Sequence, residues 1–329
     1  MSTAFQATAD FQFPPAEVKT MYFVGVTTGK SSIMTVFPKW AEHLGLGEVR
    51  MQGIDCKWHD DPEVYHNVVE FIKEDELSLG ALVTTHKIDL LTATREMFDY
   101  LDPYAELFGE VSSISKRGDR LHGHAKDPIT SGLALEAFLP ENHWEKTGGE
   151  AFVIGAGGSA IAITSYMMED RHADNRPSKI VVCNRSEPRL EEMKKIHKKL
   201  DLPVPVEYHL TPEPEMADAL MADLPPHSVV MNSTGLGKDG PGSPLTDAAI
   251  FPENGIAWDF NYRFSYPDVP HFLDQAKAQA EKQNLQVEDG WVYFIHGWTR
   301  VIAEVFDIKI PTSGPEFDVI SKIAAEVRR

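Results

Sequence analysis

The sequence predicts an α/β protein built from two α/β domains with a cleft between them. Short apolar runs alternate along the chain with longer amphipathic segments, which is the order of strands and helices that produces a mainly parallel sheet. The 329 residues also suffice for two domains of ordinary size, each with a core of its own.

The first series of strands and helices occupies the N-terminal part of the chain. Its predicted strands are Thr20 to Val26, Val49 to Ile54 and Leu79 to Val83, and its predicted helices are Ser32 to Leu44 and Val64 to Glu74. Because strand and helix alternate here, we expect these strands to pair in parallel.

The second series begins near residue 150. Its predicted strands are Ala151 to Ile154, Lys179 to Cys183, Val204 to Tyr208, Val229 to Asn232 and Ile256 to Phe260, with helices over 159–170 and 187–200. The C-terminal segment is expected to be helical, with one apolar face formed by Trp298, Val301, Ile302, Val305 and Phe306. We expect residues 1–130 with about 288–329 to form the first domain, and residues 131–287 the second.

Composition limits the classes of partner. Fifty acidic residues against 31 basic ones give a net charge of −19, which would repel nucleic acid and anionic lipid. The sequence shows neither a membrane-spanning run nor a secretory signal, so we expect no membrane contact and a cytoplasmic protein, monomer or homodimer. Its two cysteines, Cys56 and Cys183, lie in apolar runs and are expected to be buried and unpaired.

A glycine-rich turn joins the first strand of the second series to a helix. The apolar strand runs into the pattern G-x-G-x-x-A and then into an apolar helix. Gly155 permits the tight turn, Gly157 lets the backbone approach a pyrophosphate, and Ala160 keeps the helix close to the strand. Gly158 and Ser159 lie where free N–H groups can bind the anion. The second domain is therefore predicted to be a Rossmann-type doubly wound parallel sheet that binds a dinucleotide.

The end of the next predicted strand indicates which dinucleotide. An NAD-specific protein usually has an acidic residue there, which binds the ribose 2′-hydroxyl. This chain instead reads Asn184-Arg185-Ser186-Glu187-Pro188-Arg189. Two guanidinium groups can form strong charge-assisted hydrogen bonds with a 2′-phosphate, so we predict NADP as the cofactor. The alternatives are NAD, or a helix-capping turn at Ser186 with incidental arginines.

With these residues in place, the chain resembles the shikimate/quinate dehydrogenase family through most of its length. The turn from Gly155 to Ala160 looks like the family's glycine turn, and residues 184–189 look like its N-R-T-x-x-R signature for NADP. Residues 232–237, Asn-Ser-Thr-Gly-Leu-Gly, are similar to the family's N-A-T-P-x-G loop, which lies along the cofactor. The resemblance therefore implies further cofactor contacts by Asn184, Ser186, Asn232, Thr234, Gly235 and Leu236.

The resemblance also implies a catalytic pair. Residues 80–87 look like the family's N-V-T-x-P-x-K segment, shortened by one residue, and residues 123–127 resemble its G-x-N-T-D segment. The lysine and the aspartate of these segments form the family's catalytic pair, which assigns the same roles to Lys87 and Asp127. Asp127 precedes Pro128, so it could instead be a turn or helix-start residue.

The departures from the family pattern cluster around the expected substrate. The family's two carboxylate-binding serines fall on Ser31 and Ile33, and its late glutamine falls on Gly297, next to His296. Lys126 replaces the threonine that precedes the catalytic aspartate. The residues expected to contact the substrate are Lys30, Ser31, Thr84, Ser112 and Tyr262. The pattern predicts the family's reaction, between an alcohol and a ketone, on a small, polar, anionic, polyhydroxylated molecule other than shikimate.

Two alternatives stay open at this point. A non-catalytic NADP-binding regulator or sensor would keep the cofactor half and lose the substrate half, although retention of Lys87 and Asp127 favours an enzyme. Imidazole and carboxylate are good metal ligands, so a metal site is conceivable at His86, His122, His124 and Asp127. Because a nicotinamide dehydrogenase with a lysine needs no metal, we predict none.

Overall fold

The structure, a computed structural model, describes residues 4–200, 203–237, 240–262 and 271–327. The chain divides into two compact units, which we call unit 1 (Met1–Lys126 and Ile295–Arg329) and unit 2 (Asp127–Phe294). Each unit contains helices and a mostly parallel sheet, so the predicted α/β fold class with two domains is confirmed.

The strands and helices are as follows. The described strands are β1 (Phe5–Gln6), β2 (Lys19–Gly25), β3 (Val49–Asp55), β4 (Ser78–Val83), β5 (Tyr100–Leu101), β6 (Ser113–Arg117), β7 (Arg120–His124), β8 (Ala151–Ile154), β9 (Ile180–Asn184), β10 (Val206–Leu210), β11 (Val229–Asn232), β12 (Ile256–Asp259) and β13 (Gln286–Glu288). The described helices are α1 (Ile33–His43), α2 (Pro62–Glu74), α3 (Lys87–Thr94), α4 (Pro103–Phe108), α5 (Asp127–Phe138), α6 (His143–Thr147), α7 (Gly158–Met167), α8 (Glu187–Lys199), α9 (Pro214–Ala222), α10 (Phe272–Gln283), α11 (Trp291–Phe306) and α12 (Pro315–Ala325).

The sheet of unit 1 has the strand order β1-β3-β2-β4-β6-β7-β5. Strands β2, β3 and β4 pair in parallel, as predicted, and β1, which was not predicted, pairs in parallel with β3. Strand β6 runs antiparallel to β4 and to β7. The alternation of strands and helices does not predict this hairpin. Its turn, Gly118-Asp119, is a dipeptide typical of hairpins, and Gly118 has a φ of +66°.

Both faces of the unit 1 sheet are covered, which explains why successive residues of β2 are buried. Tyr22 and Val24 belong to the core cluster that includes α2. Phe23 points to the opposite face, where its ring meets Trp298 of α11 edge-on at 4.8 Å between centroids. The predicted apolar face of the C-terminal helix is buried at Trp298, Val301, Ile302 and Val305.

Unit 2 contains a six-stranded sheet with the order β10-β9-β8-β11-β12-β13. All five strand pairs are parallel. In order of appearance within the unit the strands read 3-2-1-4-5-6, which is the doubly wound order of dinucleotide-binding domains. The predicted Rossmann-type sheet is therefore confirmed, and the order reverses between β8 and β11, the point where such sheets bind ligands.

Three smaller expectations can be compared with the structure. Strand β10 begins at Val206, two residues later than predicted, because Pro205 cannot donate a ladder hydrogen bond. Cys56 and Cys183 are free and buried, as predicted. No helix in the described part of the chain is both long enough and apolar enough to cross a membrane.

Candidate active site

The glycine-rich turn follows β8 directly. All four residues of β8 are buried, and Gly155 has a φ of +114°, which residues with a side chain rarely adopt. A Cβ atom on Gly155 would lie 2.6 Å from Ser233 Oγ. The turn is therefore packed against the loop after β11, and its first position requires glycine.

The second glycine of the turn has open space above it. Gly157 occupies the N-cap position of α7, and a Cβ atom placed there would have no heavy atom within 4 Å. Gly158 is exposed, Ser159 is half-buried and Ala160 is buried. The first-turn N–H groups have no partner within the helix, so this turn can receive an anion such as a pyrophosphate.

The two predicted selector arginines follow β9, the strand beside β8. Asn184 Nδ2 donates to the main-chain oxygen of Ser186 at 2.8 Å and closes the turn into α8. Ser186 occupies the N-cap position, but its side chain makes no capping hydrogen bond. Arg185 and Arg189 are exposed, and Arg189 forms a 2.9 Å ion pair with exposed Glu192, a type of contact that contributes little to stability. Both guanidinium groups therefore remain accessible to a ligand.

The loop after β11 folds back on its own first residue. Asn232 is fully buried, and its Oδ1 accepts hydrogen bonds from the N–H of Thr234 at 3.0 Å and from the Thr234 hydroxyl at 2.7 Å. Ser233 donates its N–H and its hydroxyl to the last carbonyl of β8, at 2.9 and 2.8 Å. Gly235 is exposed and Leu236 is half-buried. The loop is thus anchored at both Asn232 and Ser233.

A buried carboxylate, which the sequence reasoning missed, joins this loop to the residues after β12. Asp259 is 1% exposed, and its Oδ2 accepts a hydrogen bond from Asn232 Nδ2 at 3.2 Å. Its Oδ1 accepts from the main-chain N–H and from the side-chain amide of Asn261, both at 2.9 Å. Asn261 Nδ2 also donates to the main-chain oxygen of Thr234 at 2.9 Å. The sequence does carry a signal for this contact, because Asn232 and Asp259 are polar residues at the ends of two strands that pair in parallel.

Tyr262 follows this network and is half-buried. Its ring lies 4.8 Å from that of Phe294 and 5.3 Å from that of Trp291, measured between centroids. Both partners belong to the first turn of α11. A substrate contact by Tyr262 stays a prediction.

In unit 1, Lys30 and Ser31 follow β2 in a short 3₁₀ turn and its first flanking residue. The turn is fixed by Thr28, which donates its N–H and its hydroxyl to Asp55 Oδ1 at 2.8 and 2.6 Å. Lys30 is exposed and Ser31 is half-buried. Ile33, which stands where the resemblance expects a second serine, is fully buried in α1. Any polar contact here must come from residues other than Ile33.

The loop between β4 and α3 carries Thr84 and Lys87, both half-buried. Thr85 has a φ of +63°, a left-handed conformation that strains a β-branched residue. His86 is buried, and its Nδ1 lies 3.1 Å from the hydroxyl oxygen of Tyr65. Burial lowers the pKa of His86. Lys87 is the first residue of α3, so the buried His86 contact fixes the backbone immediately before it. The sequence reasoning missed this contact.

Ser112 and Lys126 meet beside β6 and β7. The buried Ser112 hydroxyl accepts the main-chain N–H of Lys126 at 2.8 Å. Lys126 Nζ lies 2.8 Å from Glu304 Oε2, and Arg117 and His124 approach the other oxygen of Glu304 at 3.3 and 3.6 Å. Burial acts to raise the pKa of Glu304, but these three neighbours outweigh it and hold that pKa below its usual range. A substrate contact by Ser112 stays a prediction.

The structure places Asp127 at the start of α5, the helix-start position that the sequence left open as an alternative. The main-chain oxygen of Asp127 accepts the Ser131 hydroxyl at 2.7 Å. His296 is buried in α11, where its ring stacks on Phe317 at 4.5 Å between centroids. Burial lowers the pKa of His296 to about 4, so the ring packs as a neutral core group. A catalytic role for Asp127 stays a prediction.

The predicted residues thus form two sets. In unit 2 the phosphate turn, the arginines and the 232–236 loop follow parallel strands at one sheet edge. In unit 1, Lys30 and Lys87 follow parallel strands, and the antiparallel pairing of β6 brings Ser112 to the same edge. Within the described residues, no group of three or more His, Cys, Asp or Glu side chains could hold a metal ion.

Curated relatives share most of the chain. The shikimate dehydrogenase (NADP(+)) of Paramagnetospirillum magneticum is 31% identical over 258 residues, which cover 78% of this chain and 81% of that protein. The enzyme of the same name from Lactococcus lactis is 24% identical over 229 residues, 70% of this chain and 75% of that protein. No protein-family model matches the chain.

Solved structures share the fold. Quinate dehydrogenase from Corynebacterium glutamicum, solved in complex with NAD, is 15% identical with a TM-score of 0.71 and covers 94% of this chain and 99% of that one. The 5-ketofructose reductase of Gluconobacter sp. is 15% identical with a TM-score of 0.65, over the same shares of the two chains. These identities are low, so the likeness supports the two-domain α/β fold alone.

Proposed function

The chain belongs to the shikimate/quinate dehydrogenase family, and we propose that it is an NADP(H)-dependent oxidoreductase that interconverts an alcohol and a ketone. Its substrate is a small, polar, anionic, polyhydroxylated molecule other than shikimate. The observation that carries the proposal is the edge of the unit 2 sheet, where the phosphate turn and two exposed arginines follow β8 and β9. Unit 2 is the cofactor-binding unit in this proposal, and unit 1 binds the substrate.

The described residues fit the cofactor. Gly157, above which the space is open, and the first-turn N–H groups of α7 would hold the pyrophosphate. Arg185 and Arg189, both exposed, would hold the 2′-phosphate through charge-assisted hydrogen bonds. Asn232 and Thr234, which are joined by a hydrogen bond in the loop after β11, would hold the second half of the dinucleotide. When bound, NADP(H) supplies the hydride-transfer chemistry.

The protein supplies the proton transfer. In the oxidation direction the neutral amine of Lys87 takes the proton of the substrate hydroxyl and becomes an ammonium group, and in the reduction direction that ammonium group returns a proton to the ketone oxygen. Asp127 is the second member of the catalytic pair that the family resemblance assigns. The buried His86 and the strained Thr85 fix the backbone from which Lys87 extends.

The substrate side differs from the family pattern at several positions, and Ile33 is one of them. Ile33 cannot replace a carboxylate-binding serine, because it is apolar and fully buried. Lys30, Ser31 and Thr84 are polar residues at that edge of unit 1 to which we assign substrate contacts, and Lys30 supplies a positive charge for an anionic substrate. Ser112 acts at the base of the site, since its hydroxyl holds the Lys126 backbone. Tyr262 is the one predicted substrate contact that belongs to unit 2.

The test of this proposal is the reduction of NADP+, followed by NADPH absorbance, with a panel of hydroxy acids, cyclitols and sugar acids that includes shikimate and quinate. We expect NADP+ reduction with an anionic polyol and a much lower kcat/KM for shikimate. Tight NADP+ binding without turnover of any panel member in either direction would favour the NADP-binding regulator instead. Efficient shikimate oxidation would contradict the substrate assignment.

A further inference from the structure

Asp259 and the two asparagines that donate to it, Asn232 and Asn261, form a buried polar network. The proposed mechanism gives Asp259 no role. Asp259 and Asn232 are the last residues of β12 and β11, and the parallel register places them side by side. Three N–H groups point at one carboxylate that is 1% exposed. Burying a charge is costly unless it is hydrogen-bonded, so the site is built to hold this group.

The network controls the shape of two loops. Asn232 holds the Thr234 N–H and hydroxyl with its Oδ1, while its amide nitrogen donates to Asp259. Asn261 joins the loop after β12 to the loop after β11, because its amide nitrogen lies 2.9 Å from both Asp259 Oδ1 and the Thr234 carbonyl oxygen. Removing the carboxylate would therefore release both asparagine side chains from their fixed orientations, and with them the Thr234 backbone.

The sheet order shows which half of a dinucleotide these loops face. A doubly wound sheet of order 3-2-1-4-5-6 binds one mononucleotide half against strands 1 to 3 and the other against strands 4 to 6. The phosphate turn and Arg185 belong to the first set, through β8 and β9, whereas β11 and β12 belong to the second. The loops that Asp259 joins therefore face the nicotinamide half.

We propose that Asp259 is a positioning residue that shapes the loops after β11 and β12 to receive the nicotinamide half of NADP(H). This inference rests on the proposed function. It makes the proposed cofactor contacts of Asn232 and Thr234 depend on a carboxylate that is only 1% exposed. It also separates the two halves of the cofactor site, since the adenosine half has no contact with Asp259 in the described network.

The state of the carboxylate supplies a second line of support. The pKa of Asp259 is raised to about 7, mainly by burial. The hydrogen bonds from Asn261 and Asn232 act to lower this pKa, and the negative charge of Asp289 acts to raise it further. Asp289 lies on the turn between β13 and α11, while Asn232 and Asn261, which face Asp259 from β11 and from the loop after β12, are uncharged. Only the ionised carboxylate can accept all three hydrogen bonds without presenting a proton to a donor.

The test compares two ligands on Asp259→Asn. NADP+ occupies both halves of the site, whereas adenosine 2′,5′-bisphosphate occupies the adenosine half alone. We expect the affinity for NADP+ to fall by about tenfold or more, and the affinity for the bisphosphate to stay within about twofold. The control is Asp223→Asn, which removes an exposed aspartate of the same unit and should change neither affinity. Calorimetric titration gives both dissociation constants without turnover.

Two further measurements keep the inference testable if Asp259→Asn does not fold. Asn261→Ala removes the bridge to Thr234 and should weaken NADP+ in the same selective way. In the wild type, the ratio of the two dissociation constants, measured from about pH 5.5 to about pH 8.5, should favour NADP+ increasingly above about pH 7. For this pH series adenosine 2′-monophosphate replaces the bisphosphate, because it carries the same 2′-phosphate as NADP+ and has no 5′-phosphomonoester, a group that itself titrates at about pH 6. Titration of the 2′-phosphate then cancels from the ratio.

The outcomes are distinct. A selective loss of NADP+ affinity with a pH-dependent ratio supports the inference. An equal loss for both ligands, an unchanged NADP+ affinity or a flat ratio overturns it and leaves the proposed function intact. If the wild type binds neither ligand, the proposed function fails and the inference fails with it.

Discussion

Lys126 Nζ lies 2.8 Å from Glu304 Oε2, in an ion pair whose side chains are only 14% and 23% exposed. Arg117 lies 3.3 Å from the other oxygen of Glu304, and Ser112 holds the Lys126 backbone. Lys126 immediately precedes Asp127, so the Lys126–Glu304 ion pair fixes the chain at the point where the proposed catalytic aspartate begins α5.

Glu304→Gln should destabilise the protein. The change removes the carboxylate nearest to two partly buried cations, Lys126 and Arg117, and among the described residues leaves Arg117 only the exposed Asp307. Since the Lys126–Glu304 pair is not fully shielded, we expect a loss of about 1–2 kcal/mol in the free energy of unfolding. Urea unfolding at neutral pH measures this loss. The matched control is Asp307→Asn, whose carboxylate lies 3.8 Å from the same Arg117 but is 84% exposed. An equal loss of unfolding free energy in both variants would contradict a special contribution of the shielded Lys126–Glu304 pair.

Substituting alanine at each glycine of the phosphate turn should separate folding from cofactor binding. Gly157→Ala has space for its Cβ and an ordinary φ of −88°, so stability should stay within about 1 kcal/mol of the wild type while NADP+ affinity falls. Gly155→Ala should lower both, because its φ is +114° and its Cβ would meet Ser233. Thermal unfolding and NADP+ titration check the pair. Unchanged NADP+ binding by Gly157→Ala would place the pyrophosphate elsewhere.

Arg185→Ala should weaken NADP(H) binding selectively. A charge-assisted hydrogen bond contributes about 1.5–3 kcal/mol, so we expect the dissociation constant for NADP+ to rise by roughly tenfold to a hundredfold and that for NAD+ to change little. Arg171→Ala removes an exposed arginine of the same unit and serves as the control. If the wild type binds both cofactors equally and Arg185→Ala leaves both affinities unchanged, the arginines do not select the cofactor.

Acid should destabilise the fold through buried histidines. Burial lowers the pKa of His124, His197 and His296 to about 4 each. An unfolded histidine, with a pKa of about 6.5, then binds more protons than the folded one, so stability falls as the pH drops from about 6.5 to about 4. His296→Phe keeps the stack on Phe317 and should reduce this fall, whereas His43→Phe, at an exposed site, should not. The midpoint of urea unfolding, measured across this pH range, checks the prediction. If the midpoint depended on pH equally in both variants, the effect could not be assigned to His296.

The sequence predicts most of what depends on local pattern. The phosphate turn after β8 and the arginines after β9 are predicted because strand, turn and helix follow one another within a few residues. The pairings that shape the sites are not predicted, because they join distant residues. Lys126 and Glu304 are 178 positions apart, and Asn232 meets Asp259 only through the register of β11 and β12.

The substrate side is predicted least well for a related reason. Resemblance assigns polar positions one at a time, whereas burial is decided by packing. Ile33 is fully buried in α1, and the Ser112 hydroxyl is occupied by the backbone of Lys126. His296, beside the expected glutamine, is packed against Phe317. None of these environments can be deduced from a motif.

The central claim is that this enzyme oxidises an alcohol with NADP+ and uses Lys87 to move the proton. The most direct measurement is kcat for Lys87→Ala with the best substrate of the panel, alongside the NADP+ dissociation constant. We expect kcat to fall by about 10²- to 10⁴-fold, the usual effect of removing an acid–base group, while NADP+ affinity stays unchanged. A Lys87→Ala variant that turns over at the wild-type rate would contradict the account.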